Sequence, residues 1–120
     1  MSTIKVTNLQ DTSGGNQSTS GEIFQGRAKA WINFNGQGTP TIRDDYNVNS
    51  LTDNGTGLFS INFTNPFSSS DYSAIGMSHY GMSQHGNDPY STSAFKVVTY
   101  ATPNGGNADY VYNDIAFFGV

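Results

Sequence analysis

The chain has 120 residues, 12% of them charged and 13% aromatic, with a net charge of −4 and no cysteine. That length holds one domain with a modest core. The aromatic content excludes an unfolded polar segment, and the lack of cysteine excludes disulfides, thiolate metal sites and thiol chemistry.

Residues 1–27 form the first region. "IKVTNLQ" has the composition of a short strand, and Ile4, Val6 and Leu9 need a partner because an isolated strand buries nothing. "DTSGGNQSTSG" has no apolar residue and consists of turn and linker types. A Ser or Thr at 18–20, followed by Ile23 and Phe24, predicts one short capped helix running towards Arg27. The region reads as an amino-terminal anchoring and oligomerisation arm.

From Ala28 the period changes to two. Ala30, Ile32 and Phe34 face one side and Lys29, Trp31 and Asn33 the other, until "NGQG" ends the strand. "TIRDDYNVNSL" predicts the next strand, with Ile42, Tyr46 and Val48 inward and a change of phase near Asp44 and Asp45. In "LFSINFT", Phe59, Ile61 and Phe63 face inward, and "TDNGTG" between the two strands supplies a hairpin turn. "YSAIGMSH", "SAFKVVTY" and "YVYNDIAFFGV" predict three further strands, separated by loops at "YGMSQHGNDPYS" and "ATPNGGNAD". Leu occurs only at 9, 51 and 58 and Glu only at 22, while Tyr, Phe, Thr, Val and Ile fill the apolar positions. The fold class predicted is all-β, a small antiparallel β-sandwich over residues 28–120.

The chemistry-bearing residues are few. His79 and His85 stand six positions apart, which matches no common zinc spacing, and no G-x-S-x-G occurs. Asp44 and Asp45 are adjacent, so an extended strand points them to opposite faces, a poor start for a pair of catalytic carboxylates. The expectation is no enzyme, no cofactor and no metal. Residues 1–43 carry a net +2 and the remainder −6, an acidic body that disfavours nucleic acid as a ligand. No apolar run is long enough to span a bilayer, and "MSTIKVTNLQ" lacks the core of a secretory signal, so synthesis in the cytoplasm without membrane insertion is expected.

The two loops carry the candidate contact residues. His79, Tyr80, His85, Asn87, Asp88, Tyr90, Asn104, Asn107 and Tyr110 stand there among Gly and Ser. Tyrosine offers a flat apolar face with a polar tip, and Asn and Ser adapt their hydrogen bonds, a mixture that suits protein or sugar ligands. Hydrophilic loops on any small β-domain share this composition.

The order of motifs supplies a family likeness. "IKVTNLQDTSGG", then "GRAKAWINFNGQGTPTIRDDYNVNSLTDNGTGLFSINF" and "DYSAIG", resembles small fibre-like virion proteins of tailed bacteriophages, cyanophages in particular, over residues 26–76. The matching positions include Ala28, Lys29, Ala30, Trp31, Asn33, Phe34, Arg43, Asp44, Asn47, Val48 and the run Thr52–Gly57. The resemblance implies fold or trimer positions rather than catalytic ones. It implies a homotrimer displayed on the virion, attached to other virion proteins through the arm, with a host glycan or protein as a possible outward partner. Ile4, Val6, Leu9, Ile23, Phe24 and Trp31 are then the oligomer and anchor residues. A capsid or tail decoration protein without a receptor fits the same residues.

Overall fold

The computed structural model describes residues 1–85, 88–101 and 105–120. The protein is all-β with antiparallel sheets and one short helix. Its strands in chain order are β1 (Asn8–Leu9), β2 (Ser18–Thr19), β3 (Ala30–Asn35), β4 (Thr41–Tyr46), β5 (Val48–Gly55), β6 (Leu58–Phe63), β7 (Ser73–Ser78), β8 (Met82–Gln84), β9 (Ala94–Thr99) and β10 (Asn113–Phe118), with helix α1 (Ser20–Gly26) between β2 and β3. One four-stranded sheet has the order β4-β3-β10-β7, the other β5-β6-β9-β8, and β1 and β2 make a separate two-stranded pair.

The alternation expected of β3 and β6 is observed. Ala30, Ile32 and Phe34 from β3 and Phe59, Ile61 and Phe63 from β6 are buried, joined by Phe95 and Val97 of β9 and Ile115 and Phe117 of β10. These side chains from the two sheets form one core cluster. Edge-to-face ring pairs cross between the sheets: Phe34 with Phe59 at 5.2 Å, Phe63 with Phe117 at 5.1 Å and Phe95 with Phe117 at 5.3 Å. Removing a side chain of this size from water contributes roughly 1.5–3 kcal/mol, so these rings dominate the stability of the body.

Three details depart from the sequence reading. The stretch predicted as one strand over 41–51 is two strands in different sheets, because Asn47 takes φ 58° between them and turns the chain. Its side chain ties the corner by donating to the carbonyls of Lys29 and Asn65 and accepting from the Asn65 amide. Tyr46, expected inward, is 53% exposed. The cause is a bulge: Asn33 pairs with Asp44 but Phe34 with Ile42, leaving Arg43 as the extra residue and shifting the phase of everything after it. Finally, the loop predicted after residue 79 contains β8, which pairs with β9 through Met82 and Thr99.

The β5–β6 hairpin was foreseen, and its reversal lies at Thr56 and Gly57, with Asn54 and Gly55 still in the strand. Gly57 has φ 65°, and a Cβ there would come within 2.4 Å of the Thr99 carbonyl oxygen and 2.7 Å of the Ala108 nitrogen. Only glycine fits so close an approach of two backbone segments.

Residues 1–27 follow different rules. All are exposed apart from the partly buried Ser18, and α1 buries nothing. The helix is held locally by a capping box: Thr19 Oγ1 accepts from the Glu22 amide, and the Glu22 carboxylate accepts from the Thr19 amide. The turn before it is organised by Asp11, whose carboxylate accepts from the Ser13 and Gly15 amides and from Asn16. The Ser13 hydroxyl, which also donates to this carboxylate at 2.7 Å, is foremost among the donors that hold the Asp11 carboxyl below its ordinary value. The helix reaches the body through Lys29, whose ammonium lies over the Phe24 ring and donates to the Phe24 carbonyl at 2.6 Å.

Candidate functional site

The end of the body where β7 stops and β10 begins carries an aromatic cluster. His79 and Tyr80 follow β7; Tyr110 precedes β10. The His79 and Tyr110 rings stack at 5.6 Å, His79 meets Tyr80 edge-on at 4.6 Å, and Tyr80 meets Tyr110 at 5.6 Å. Gln37, Val111 and Tyr112 complete a cavity of about 400 Å³ around these rings. His79, Tyr80 and Tyr112 are exposed.

The backbone beneath the cluster is fixed by a buried amide. Asn113, fully buried on β10, donates from Nδ2 to the Tyr110 carbonyl at 2.7 Å and to the Phe34 carbonyl at 3.3 Å. The Gly36 amide donates to the same Tyr110 carbonyl at 2.8 Å. One residue earlier, Asp109 accepts from the Gly57 amide at 2.6 Å, and its carbonyl accepts from Gln37. The Tyr110 ring is thereby presented by a clamped segment. Burial within the cluster, and then the neighbouring Tyr80, raise the Tyr110 phenol above its ordinary pKa.

Of the residues singled out from the sequence, the structure brings His79, Tyr80 and Tyr110 together. Tyr90 instead packs at the rim of the core, its ring 5.1 Å from both Tyr72 and Phe95. His85 follows β8, its amide donating to the Lys96 carbonyl. Asp88 is exposed with φ 50°. Asn107 bridges to Tyr100 beside the β5–β6 turn. Asn87 and Asn104 lie outside the described residues.

Sequence reasoning missed a second surface that adjoins the cluster. The Arg43 guanidinium lies 4.7 Å from the centre of the Tyr112 ring and also donates to Asn33 at 3.4 Å. Asn33 in turn donates to the Asp114 carboxylate. Arg43, Asn33 and Asp114 border a cavity of about 600 Å³ on the outer face of the β4-β3-β10-β7 sheet, with Trp31, Ile75, Met77 and Ala116. The signal available in the sequence was the phase change near Asp44, whose cause is the bulge that places Arg43 and Tyr46 on this face.

The residues expected from the sequence to serve as anchors are all exposed: Ile4 at 88%, with Val6, Leu9, Ile23, Phe24 and Trp31 also in contact with solvent. Among the described residues no group of three or more His, Asp or Glu side chains could hold a metal ion, and no helix is long and apolar enough to cross a membrane. Flat rings with hydroxyl and imidazole tips on a clamped backbone are equipped to stack on and hydrogen-bond to a ligand. No family model, curated protein or solved structure matches the chain.

Proposed function

We propose that the chain is a virion surface protein of a tailed bacteriophage, a trimeric fibre-like appendage that aids host attachment. In this reading residues 28–120 are a β-sandwich pointing outward. Residues 1–27 are the arm that joins copies and anchors them to capsid or tail proteins, with no catalytic role for any part. The resemblance of residues 26–76 to cyanophage appendage domains supplies the class.

The observation that carries the attachment role is the His79, Tyr80 and Tyr110 cluster, three aromatic side chains gathered at one end of the body on a backbone clamped by Asn113. None of these rings belongs to the core cluster, which leaves them available for contact. The experiment is binding of the full-length protein to cyanobacterial cells and their surface polysaccharides, with Tyr80→Ala and Tyr110→Ala combined. We expect at least tenfold weaker binding with an unchanged circular dichroism spectrum. Unchanged binding by the double variant removes the cluster as the contact.

A decoration role without a receptor is the second reading, favoured by the exposed Ile4, Val6 and Leu9, which suit stapling to a particle whatever the body does. It predicts normal incorporation into particles and no cell binding by the wild-type protein.

A further inference from the structure

The two sheets differ in what they turn outward. On the β5-β6-β9-β8 sheet, Thr52, Ser60 and Lys96 stand opposite one another, and Asn62 donates to Ser50 and Thr52. Apart from the partly buried Leu58–Val98 pair this outer face is largely polar, as is usual for an antiparallel sheet with one side in water. On the other sheet, Tyr46, Trp31, Ala116 and Ile75 form a continuous apolar row across all four strands. The next row is Asp44, Asn33, Asp114 and Met77. Ile75 and Met77 are 66% and 74% exposed, so nothing in the same chain covers this end of the face.

The chain also contains a segment with the opposite need. Residues 3–7, Thr-Ile-Lys-Val-Thr, lie in no strand or helix and are exposed throughout. When extended, they put Ile4 and Val6 on one side and Thr3, Lys5 and Thr7 on the other. The segment carries one positive charge, with no acidic residue before Asp11. The face carries Asp44 and Asp114 against Arg43, a net negative charge.

We propose that the apolar outer face of the β4-β3-β10-β7 sheet, centred on Trp31, seats residues 3–7 of a second copy of this chain. Ile4 and Val6 enter the 600 Å³ cavity against Trp31, Ile75 and Met77. Lys5 reaches past the segment's edge towards Asp44 and Asp114. Matched apolar surfaces and opposite charge identify the occupant. The donor is another copy because the segment's own path is set by the β1–β2 pair and by the Lys29–Phe24 contact, and in that path Ile4 and Val6 stay in water. The molecule is correspondingly drawn out, 53 Å long against 28 and 26 Å across. Passed from copy to copy in one direction, such a contact is heterologous and closes as a ring, the arrangement the trimer reading requires, whereas exchange between two copies gives a two-fold dimer.

This inference rests on the trimer reading, and the experiment separates the two. The chain has a single tryptophan and no cysteine, so Trp31 emission reports on this face alone and introduced thiols are unambiguous. In the full-length protein we expect Trp31 emission to shift to the blue as concentration rises and the trimer forms, and Ile4→Asp with Val6→Asp to abolish that shift. Val6→Cys with Met77→Cys, treated with a short bis-maleimide, should give covalent trimers. The pair Val6→Cys with Ser60→Cys, on the polar outer face, should give at least tenfold fewer. A protein that sediments as a trimer while Trp31 emission stays constant and the Val6–Met77 pair fails to cross-link overturns the docking and leaves the trimer standing. A monomer at every concentration overturns both. Cross-linking within a single chain assigns the face to the chain's own segment, and a saccharide that shifts Trp31 emission in the Ile4→Asp, Val6→Asp variant assigns it to a soluble ligand. Either result overturns the inference.

Discussion

Strand β3 and residues 3–7 use the same alternating pattern to opposite ends. In β3, Ala30, Ile32 and Phe34 are covered by the facing sheet; in residues 3–7, Ile4 and Val6 point into water. Alternation therefore states that a segment has a face to bury, and only the fold states whether the chain itself supplies the cover. Within residues 28–120 the two sheets cover each other. For residues 1–27 local devices hold the conformation while the apolar side chains stay exposed.

The sharpest way to test this contrast is to remove one ring from each region. Phe117 is fully buried and meets Phe63, Tyr72 and Phe95. Phe117→Ala should cost about 3–5 kcal/mol in denaturant unfolding, whereas Phe24→Ala should leave the unfolding of the body unchanged. An equal cost at the two positions would erase the distinction between the regions.

The next effect is at the turn that brings backbone segments of the body into contact. Gly57→Ala forces a side chain into the left-handed region and against the Thr99 carbonyl, with an expected loss of about 1–3 kcal/mol. Gly14 also has a positive φ, of 81°, but a Cβ there meets nothing within 4 Å, so Gly14→Ala should cost less, about 1 kcal/mol from backbone conformation alone and confined to residues 1–27.

The body should also respond to alkali. Tyr72 lies among Phe63, Phe67 and Phe117, and its hydroxyl donates to the Ser91 and Ala94 carbonyls. Burial pushes its phenol from the ordinary 10 up to about 12. The folded state favours the neutral phenol, so the contribution is complete below pH 10 and is lost as pH rises from 10 through about 12. A urea titration across that window should show falling stability in the wild type and a flatter profile in Tyr72→Phe.

The smallest effect concerns the capping box. Thr19→Ala removes the acceptor for the Glu22 amide and should cost about 1 kcal/mol of local helix stability, read as faster amide exchange over α1. Exchange in β3, β6, β9 and β10 should not change. Faster exchange there would show that the helix supports the body.

Much of the fold was legible. Period-two runs at Ala30–Phe34 and Phe59–Phe63 revealed buried faces because each strand has one face inward, and the Ser/Thr run at 18–20 marked the helix start. What escaped notice depends on single-residue geometry. Asn47 turns one predicted strand into two because it adopts a positive φ, and the Arg43 bulge sends Tyr46 outward after Ile42 points inward. Composition gave the loop residues without their grouping. His79, Tyr80 and Tyr110 meet because β7 and β10 are paired neighbours, a pairing between segments far apart in the chain. Tyr90, of the same residue type, packs at the core rim instead. The Trp31 face was half legible: its strand placed Trp31 outward, but Ile75, Met77 and Ala116 join it only through the sheet order.

The central claim is that the body folds by itself while residues 1–27 assemble copies of it. Sedimentation equilibrium of the full-length protein and of a form lacking residues 1–22, over a wide concentration range, tests it most directly. The account predicts a full-length species of three 12.9 kDa chains and a truncated species that is monomeric with an unchanged β-type circular dichroism spectrum. A full-length protein that remains a compact monomer at every concentration, or a truncated form that still sediments as a trimer, would contradict it.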